Sequence, residues 1–588
     1  MRRLAVFVAA LGVLTVVAAP AAQPSAVSVF PIPGDRVASP QTQIAFRGLS
    51  PSALSNISVV GSRTGVHTGA IAADSDGRGA SFLPSTRFVA GETVTVTTSL
   101  NVLGASNGRF SFTIATSSSP IPYLAAQTVG RTAGDVWRYR SRGDLAPAAV
   151  KLLRSSSHAA AGDWFVAPQF GPVENGPEIL DSSGNLVWFY RVPHGDAASD
   201  FRVQQYRGRP ALTWWEGYTD AGIGVGQDLI YDSAYNPVAS VRAANGLSAD
   251  LHEFQLTPQG TALITAYYPV YWDASSIRGG LKREITLDSV VQEIDIPTGL
   301  VLFQWDSLDH VPVTDTYEPL PHQTATIHNP FDYFHANSVQ LDDDGTLIVS
   351  GRNTWAAYKV NHQSGAVVWA LGGRHSSFSM GTGTGFAFQH DVRVRAQNDQ
   401  YVTVFDDGAG PPNIHGQSRA LKLRLDLKRK TATGVWQHEH SPPLLSQFEG
   451  NYQQLPDADD LVGWGQQPFF TEYDPHGQLI VDGRFVGTTS SYRVYKFPWQ
   501  GQPQKPPDAA ASTSGKTTTV YASWNGATTV SGWRVLSGPS ATVLRPTRAV
   551  PRRGFETSTQ INAARYVAVQ ALDSRGRVLA RSSPVRAG

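Results

Sequence analysis

Between residues 146 and 499 the chain repeats one strand pattern six times, and that repetition limits its folds more sharply than any single motif. Each copy carries an Asp or Asn, a tight turn and another strand, at Asp181, Asp232, Asp295, Asn361, Asp426 and Asp474, with successive spacings of 51, 63, 66, 65 and 48 residues. A second hairpin series precedes these, opening at Asp163, Asp200, His252, His335, Gln389 and Asn451, with the first member degenerate. Strand units recurring every roughly 40–60 residues are the mark of propeller blades. The pattern predicts an all-β chain whose centre, residues 146–499, is a six-bladed β-propeller, a ring that leaves no long exposed sheet edge. Two sandwiches with long loops are the competing arrangement, and the regular spacing counts against them. Composition agrees: Gly 55, Pro 38 and 10% aromatic residues against 16% charged suit short strands joined by many turns.

The ends read differently. Short runs such as those at 93–96 and 110–114 predict an Ig-like β-sandwich over 27–115, followed by a Ser/Pro linker, 116–145. A Pro- and Gln-rich linker, 500–516, leads to a second sandwich at 517–588, and both end domains are expected to serve as spacers or in cell-surface contact. Arg2 and Arg3, an apolar stretch at 4–19 and Ala19-Pro20-Ala21 have the three parts of a secretory signal, giving a signal peptide over 1–22 and a secreted, extracellular or cell-wall location. The stretch is shorter than the roughly 20 residues that span a bilayer, so no integral membrane segment is expected. A formal net charge of +1 offers no field for nucleic acid, and the absence of cysteine removes disulfides and thiolate chemistry together.

Chemistry must then come from other side chains. His252, His335 and His390 open the first hairpin in three consecutive copies, each with an apolar residue four positions on: Leu256, Val339 and Val394. Equivalent positions on successive blades surround one axis, so the three imidazoles are expected to converge. If Asp342-Asp343-Asp344-Gly345 is the loop, Leu341 opposes Thr346 and His335 opposes Arg352, sharing a sheet face with Cβ atoms about 5 Å apart. Asn337, two residues on, points the same way. Three uses fit: repeat residues bonded within their own blades, a zinc site of three imidazoles, or an oxyanion site. A guanidinium beside the imidazoles repels a cation and favours an anion with its planar fork, so no metal is expected.

The HANSVQLDDDGTLIVSGR, FAFQHDVRV and HEFQLTPQGTALI segments together resemble the arylsulfate sulfotransferase (arylsulfotransferase) family, exported six-bladed propellers that move sulfuryl groups between phenols without a nucleotide donor. The resemblance implies that His335, Asn337 and Arg352 hold the sulfate, that His390 after Gln389 is the nucleophile, and that His252 is a further catalytic histidine. It also implies a phenolic sulfate donor, a phenolic acceptor, no cofactor, a sulfohistidine intermediate and ping-pong kinetics. Neutral imidazole, with a pKa near about 6.5, suits the nucleophile, and preorganised donors suit the charge on the sulfuryl oxygens. Family members from Gram-negative bacteria carry a disulfide near the site, which this chain cannot form. The rival function is a non-catalytic secreted propeller binding module.

Remaining signals are weaker. The glycine run at 381–385 is expected to be a loop before His390, and Asp342, Asp343 and Asp344 an ordinary turn rather than a calcium site. His438 and His440 are expected to face solvent or a neighbouring loop. Trp214, Trp215, Trp464, Phe469 and Phe470 suit an aromatic pocket or a core equally.

Overall fold

The computed structural model describes residues 26–124, 134–171, 174–220, 222–321, 325–395 and 400–588; the expected signal segment, 1–22, lies outside them. The chain is all-β, and the four residues of Ser307–His310 form the only α-helix among the described residues. No described helix is long and apolar enough to cross a membrane.

Six strands organise the middle of the chain: β1 (Ala197–Tyr206), β2 (Ala249–Leu256), β3 (Ala336–Leu341), β4 (His390–Arg395), β5 (Asn451–Gln454) and β6 (Ser490–Phe497). Each touches the next, and β6 touches β1. From each an antiparallel sheet runs outward. The sheet on β3, for example, continues through Leu347–Gly351, Ala356–Val360 and Val367–Gly372, while those on β1 and β2 join through the single bridge Gly226↔Ala249. The singled-out Asp and Asn residues are the turn-formers of these sheets. The carboxylate of Asp181 accepts from the backbone N–H of Ser183 and Asn185, Asp474 does so from His476 and Gln478, and Asp232, Asn361 and Asp426 repeat the arrangement. This is the Asx turn that short polar side chains favour.

The first copy departs from expectation. Asp163–Gln169 does not begin its sheet; it pairs with β6, more than 300 residues on in the chain, and takes β6 as its inner neighbour. At the other end Val150–Arg154 pairs with Leu479–Phe485 as an added outer strand. Both exchanges tie the beginning of the region to its end, so neither end can separate without breaking a sheet ladder.

Side-chain amides fasten alternate inner strands to the next. Gln204 of β1 accepts from the N–H of Leu256 at 2.8 Å and donates to the carbonyl of Phe254 at 2.8 Å. Gln340 of β3 does the same to Val394 at 2.8 and 3.2 Å, and Gln453 of β5 to Lys496 at 2.8 and 2.9 Å. Asn451, at the start of β5, spans Val494 with two bonds of 2.9 Å. Each bond is worth about 1 kcal/mol net, and more is lost when a buried backbone group is left alone. Between the inner strands Arg202, Arg393 and Arg493 are buried against Asp200, Glu253 and Asp391, three cations facing three carboxylates.

At the N-terminal side, two four-stranded sheets enclose a core including Phe46, Val59, Val96 and Phe112. At the C-terminal side, a three-stranded and a five-stranded sheet enclose Val520, Trp533 and Val569. Asp508–Ser514, within the segment expected to be a linker, is a strand of the former. Trp214, Trp215 and Trp464 are fully buried in cores, as is Phe470, so the pocket reading of these residues fails; only Phe469 is partly exposed.

Candidate active site

The ladders of β1 to β4 are each interrupted near the same end, between Ser199 and Arg202, Ala249 and Phe254, Ala336 and Ser338, and His390 and Arg393. Such bulges re-aim side chains. Several residues there have left-handed backbone without being glycine: Asp200 (φ 52°), His335 (φ 57°) and Asp391 (φ 50°). Strain of this kind persists where the surroundings impose it, and it clusters at functional sites.

The bulges bring the three histidines together. The ring centroids of His252 and His335 are 4.8 Å apart, and Tyr492 of β6 stands edge-on to His252 at 5.6 Å and to His390 at 6.3 Å. All three imidazoles are buried. Each has its Nδ1 on a carboxylate: His252 on Asp250 at 2.6 Å, His390 on Asp407 at 2.7 Å, and His335 on Asp332. On His390 the Nε2 accepts the backbone N–H of Glu449 at 3.2 Å, so Nε2 carries the lone pair and Nδ1 the proton. Burial, then the charges of Arg352, His252 and His335, hold the His390 imidazole well below its usual range. Burial pushes the Asp407 carboxyl up, with Arg352 pulling it back. His335 is likewise lowered, chiefly by burial.

The register around His335 differs from expectation and arrives at the same place. Leu341 opposes Leu347, not Thr346, because the loop is one residue longer; the bulge at Asn337 removes that offset, leaving Ala336 opposite Gly351. The Arg352 N–H then donates to the His335 carbonyl at 3.0 Å. The Arg352 guanidinium lies 4.9 Å from the Phe388 ring and donates to Asn353 Oδ1 at 2.7 Å and the Gln447 carbonyl at 2.9 Å. Both partners are neutral, and its buried Nε has no partner among the described residues. Asn337 is fully buried, and its Nδ2 donates to the Gln389 carbonyl at 2.7 Å, holding the start of β4.

Sequence reasoning missed the orienting carboxylates. Asp250 and Asp332 lie two and three residues before their histidines, a D-x-H and a D-x-x-H signal, while Asp407 ends the hairpin that His390 opens. Glu449 carried no signal. His438 and His440 correct the expectation of solvent exposure: both are buried, His438 against Asp460 at 2.8 Å and stacked on Tyr473, His440 donating to the Pro442 carbonyl. Their alternation placed them on one face, but Trp464 and Phe469 of the next sheet cover it. Asp342 and Asp344 pair with Lys359 at 3.0 and 2.7 Å, and the glycine run at 381–385 is irregular backbone fixed at Gly381 to the Ala432 carbonyl. Among the described residues no group of three His, Cys, Asp or Glu is arranged to hold a metal ion.

Residues 202–486, which carry all five candidate residues, match the profile of the Arylsulfotransferase (ASST) family. The chain belongs to the arylsulfotransferase family through this segment. No curated protein matches it. Solved structures similar to it include a protein of unknown function from Bacteroides caccae, 11% identical with a TM-score of 0.33 over 57% of this chain and 99% of that one. The periplasmic gluconolactonase PpgL of Pseudomonas aeruginosa is 12% identical with a TM-score of 0.30 over 73% and 96% of the two chains. Virginiamycin B lyase from Staphylococcus aureus is 9% identical with a TM-score of 0.29 over 63% and 94%. Likenesses this low have no bearing on the chemistry of this arylsulfotransferase-family chain.

Proposed function

We propose that this arylsulfotransferase-family protein is an exported arylsulfate sulfotransferase, a six-bladed propeller over 146–499 flanked by Ig-like sandwiches, and that it takes its sulfuryl group from a phenolic sulfate rather than a nucleotide. The closed sequence of contacts among β1 to β6 supports the propeller. One observation carries the chemistry: His390 presents an Nε2 lone pair, held in that tautomer by Asp407 and the Glu449 N–H, beside a guanidinium with no carboxylate partner among the described residues.

In this reading the donor's sulfuryl oxygens lie against Arg352, and its sulfur replaces the Glu449 N–H on His390 Nε2. The N–S bond forms as the S–O(aryl) bond breaks, its electron pair leaving on the aryl oxygen. Arg352, His335 and His252 stabilise the charge on the transferring group, and Asn337 contributes the second hydrogen of its Nδ2, the first being on Gln389. A phenolic acceptor then attacks sulfur and frees Nε2, which makes the kinetics ping-pong. Export rests on the signal at 1–22, and the end domains serve as spacers or surface contacts.

The rival reading, a non-catalytic binding module, draws on the burial of all three imidazoles. Purified protein with 4-nitrophenyl sulfate and phenol decides between them. Release of nitrophenol that disappears in His390→Ala, with the fold retained, supports transfer; release indifferent to that substitution removes His390 from the mechanism.

A further inference from the structure

The sulfuryl step leaves one proton unassigned. When the S–O(aryl) bond breaks, an alkyl-substituted phenolate leaves poorly unless its oxygen is protonated, and when the acceptor attacks, its hydroxyl proton must go to a base. His390 spends its lone pair on sulfur. His335, with its Nδ1 on Asp332 and its imidazole lowered by burial, is assigned to the sulfuryl oxygens in this reading and not to the aryl oxygen.

Glu449 is placed differently. Its backbone N–H sits on the reacting atom, His390 Nε2, at 3.2 Å, so its carboxyl is within one side-chain length of the sulfur position. The residue has left-handed backbone (φ 72°) and is followed by Gly450 (φ 103°), strain of the kind that the surroundings must impose. Oε1 accepts from Nε2 of Gln169, at the end of the strand that pairs with β6. Oε2 is buried and has no hydrogen-bond partner among the described residues. A buried carboxyl oxygen without a partner is an unfinished hydrogen bond, and here it belongs to the residue whose backbone N–H lies on the candidate nucleophile.

Resting on the sulfotransferase reading, we propose that Glu449 is the catalytic acid and base of the transfer, giving its Oε2 proton to the departing aryl oxygen and recovering a proton from the acceptor phenol. The steps balance. His390 Nε2 bonds to sulfur, the S–O(aryl) bond breaks, and the Glu449 proton passes to the aryl oxygen, leaving a carboxylate. The acceptor hydroxyl gives its proton to that carboxylate as its oxygen attacks sulfur, and the N–S pair returns to His390. Burial holds the proton on Glu449 at rest against the Gln169 hydrogen bond, which favours the ionised form, and the Asp407 carboxyl is itself pushed up by burial and by Glu449. Burial pushes the Glu449 carboxyl up to about 8, so it is protonated at neutral pH and within reach of its conjugate base.

The test compares phenol release from 4-nitrophenyl sulfate, whose leaving group needs little protonation, with release from 4-methylphenyl sulfate, which needs it. Wild type, Glu449→Gln and Glu449→Asp are measured alongside His390→Ala. The proposal expects Glu449→Gln to lose roughly 10²–10³-fold with the methylphenyl donor, at least tenfold more than with the nitrophenyl donor, and Glu449→Asp to recover part of the difference. The alkaline limb near pH 8 with the methylphenyl donor should vanish in Glu449→Gln. Equal losses from both donors make Glu449 structural and overturn the assignment; no loss from either does the same. Wild type that releases phenol from neither donor, or His390→Ala that releases it normally, sinks the sulfotransferase reading itself. An infrared band for a protonated buried carboxyl, present at pH 7, titrating near pH 8 and missing in Glu449→Gln, is expected independently of turnover; a carboxylate already ionised at pH 7 overturns the proposal.

Discussion

Replacing Asp407 by asparagine probes how the nucleophile is prepared. The Asp407 Oδ2 lies 2.7 Å from His390 Nδ1, and neither side chain is more than 1% exposed, so no water can substitute. As Nε2 bonds to sulfur, positive charge develops on the imidazole and a carboxylate on Nδ1 stabilises it. An amide oxygen can accept the same hydrogen bond but brings no charge. Exchanging a charged acceptor for a neutral one removes the difference between the two kinds of bond, about 1–1.5 kcal/mol, or roughly 5–13-fold in the rate of sulfohistidine formation. The amide could instead turn its Nδ2 toward Nδ1 and drive the proton to Nε2, but Nε2 would then face the Glu449 N–H, donor against donor. That second contact keeps the loss within the stated range. The assay is the pre-steady-state burst of nitrophenol from 4-nitrophenyl sulfate. A burst rate unchanged within about threefold would show that Asp407 does not act through His390, and abolition of the burst with an intact fold would show that the Glu449 contact does not hold the tautomer.

Arg352→Lys removes the fork that reaches Asn353 and Gln447 together, so KM for the donor should rise about tenfold or more with folding intact, read from steady-state kinetics. Asn451→Ala leaves the N–H and carbonyl of Val494 buried without partners, and should destabilise the protein by about 2–4 kcal/mol in urea unfolding of the first transition. Glu449, held at about 8 in the folded protein against an ordinary carboxyl near about 4.3 in the unfolded chain, binds its proton more tightly when folded. Stability contributed by that proton is present below pH about 4.3 and is lost as pH rises toward 8, so Glu449→Gln should gain in melting temperature over wild type between pH 5 and pH 8. His390 works in the opposite direction. Lowered when folded, it destabilises the fold as pH falls below about 6.5, and His390→Ala should flatten that part of the melting curve.

The hairpin series was readable because strand alternation and Asx turns are local: Asp181, Asp232 and Asp474 each form their turn with residues no more than four positions away. The exchange of β6 onto Asp163–Gln169 was not, since a pairing across more than 300 residues leaves no local trace. His252, His335 and His390 could be grouped by their common phase, but the bulges that turn them toward one another depend on packing among neighbouring inner strands. Arg352 was placed opposite His335 through a loop one residue too short, and Asn337 supplied the missing residue as a bulge. Glu449 was invisible because nothing in its neighbours announces burial; only the closing of β5 against β4 and β6 puts it on the nucleophile.

The most direct test is the mass of the protein quenched milliseconds after mixing with 4-nitrophenyl sulfate in the absence of acceptor, followed by peptide mapping. The account predicts one added sulfuryl group, confined to the peptide bearing His390 and discharged by phenol. A protein that turns over donor without any such adduct, or that carries it on His252 or His335, would contradict it.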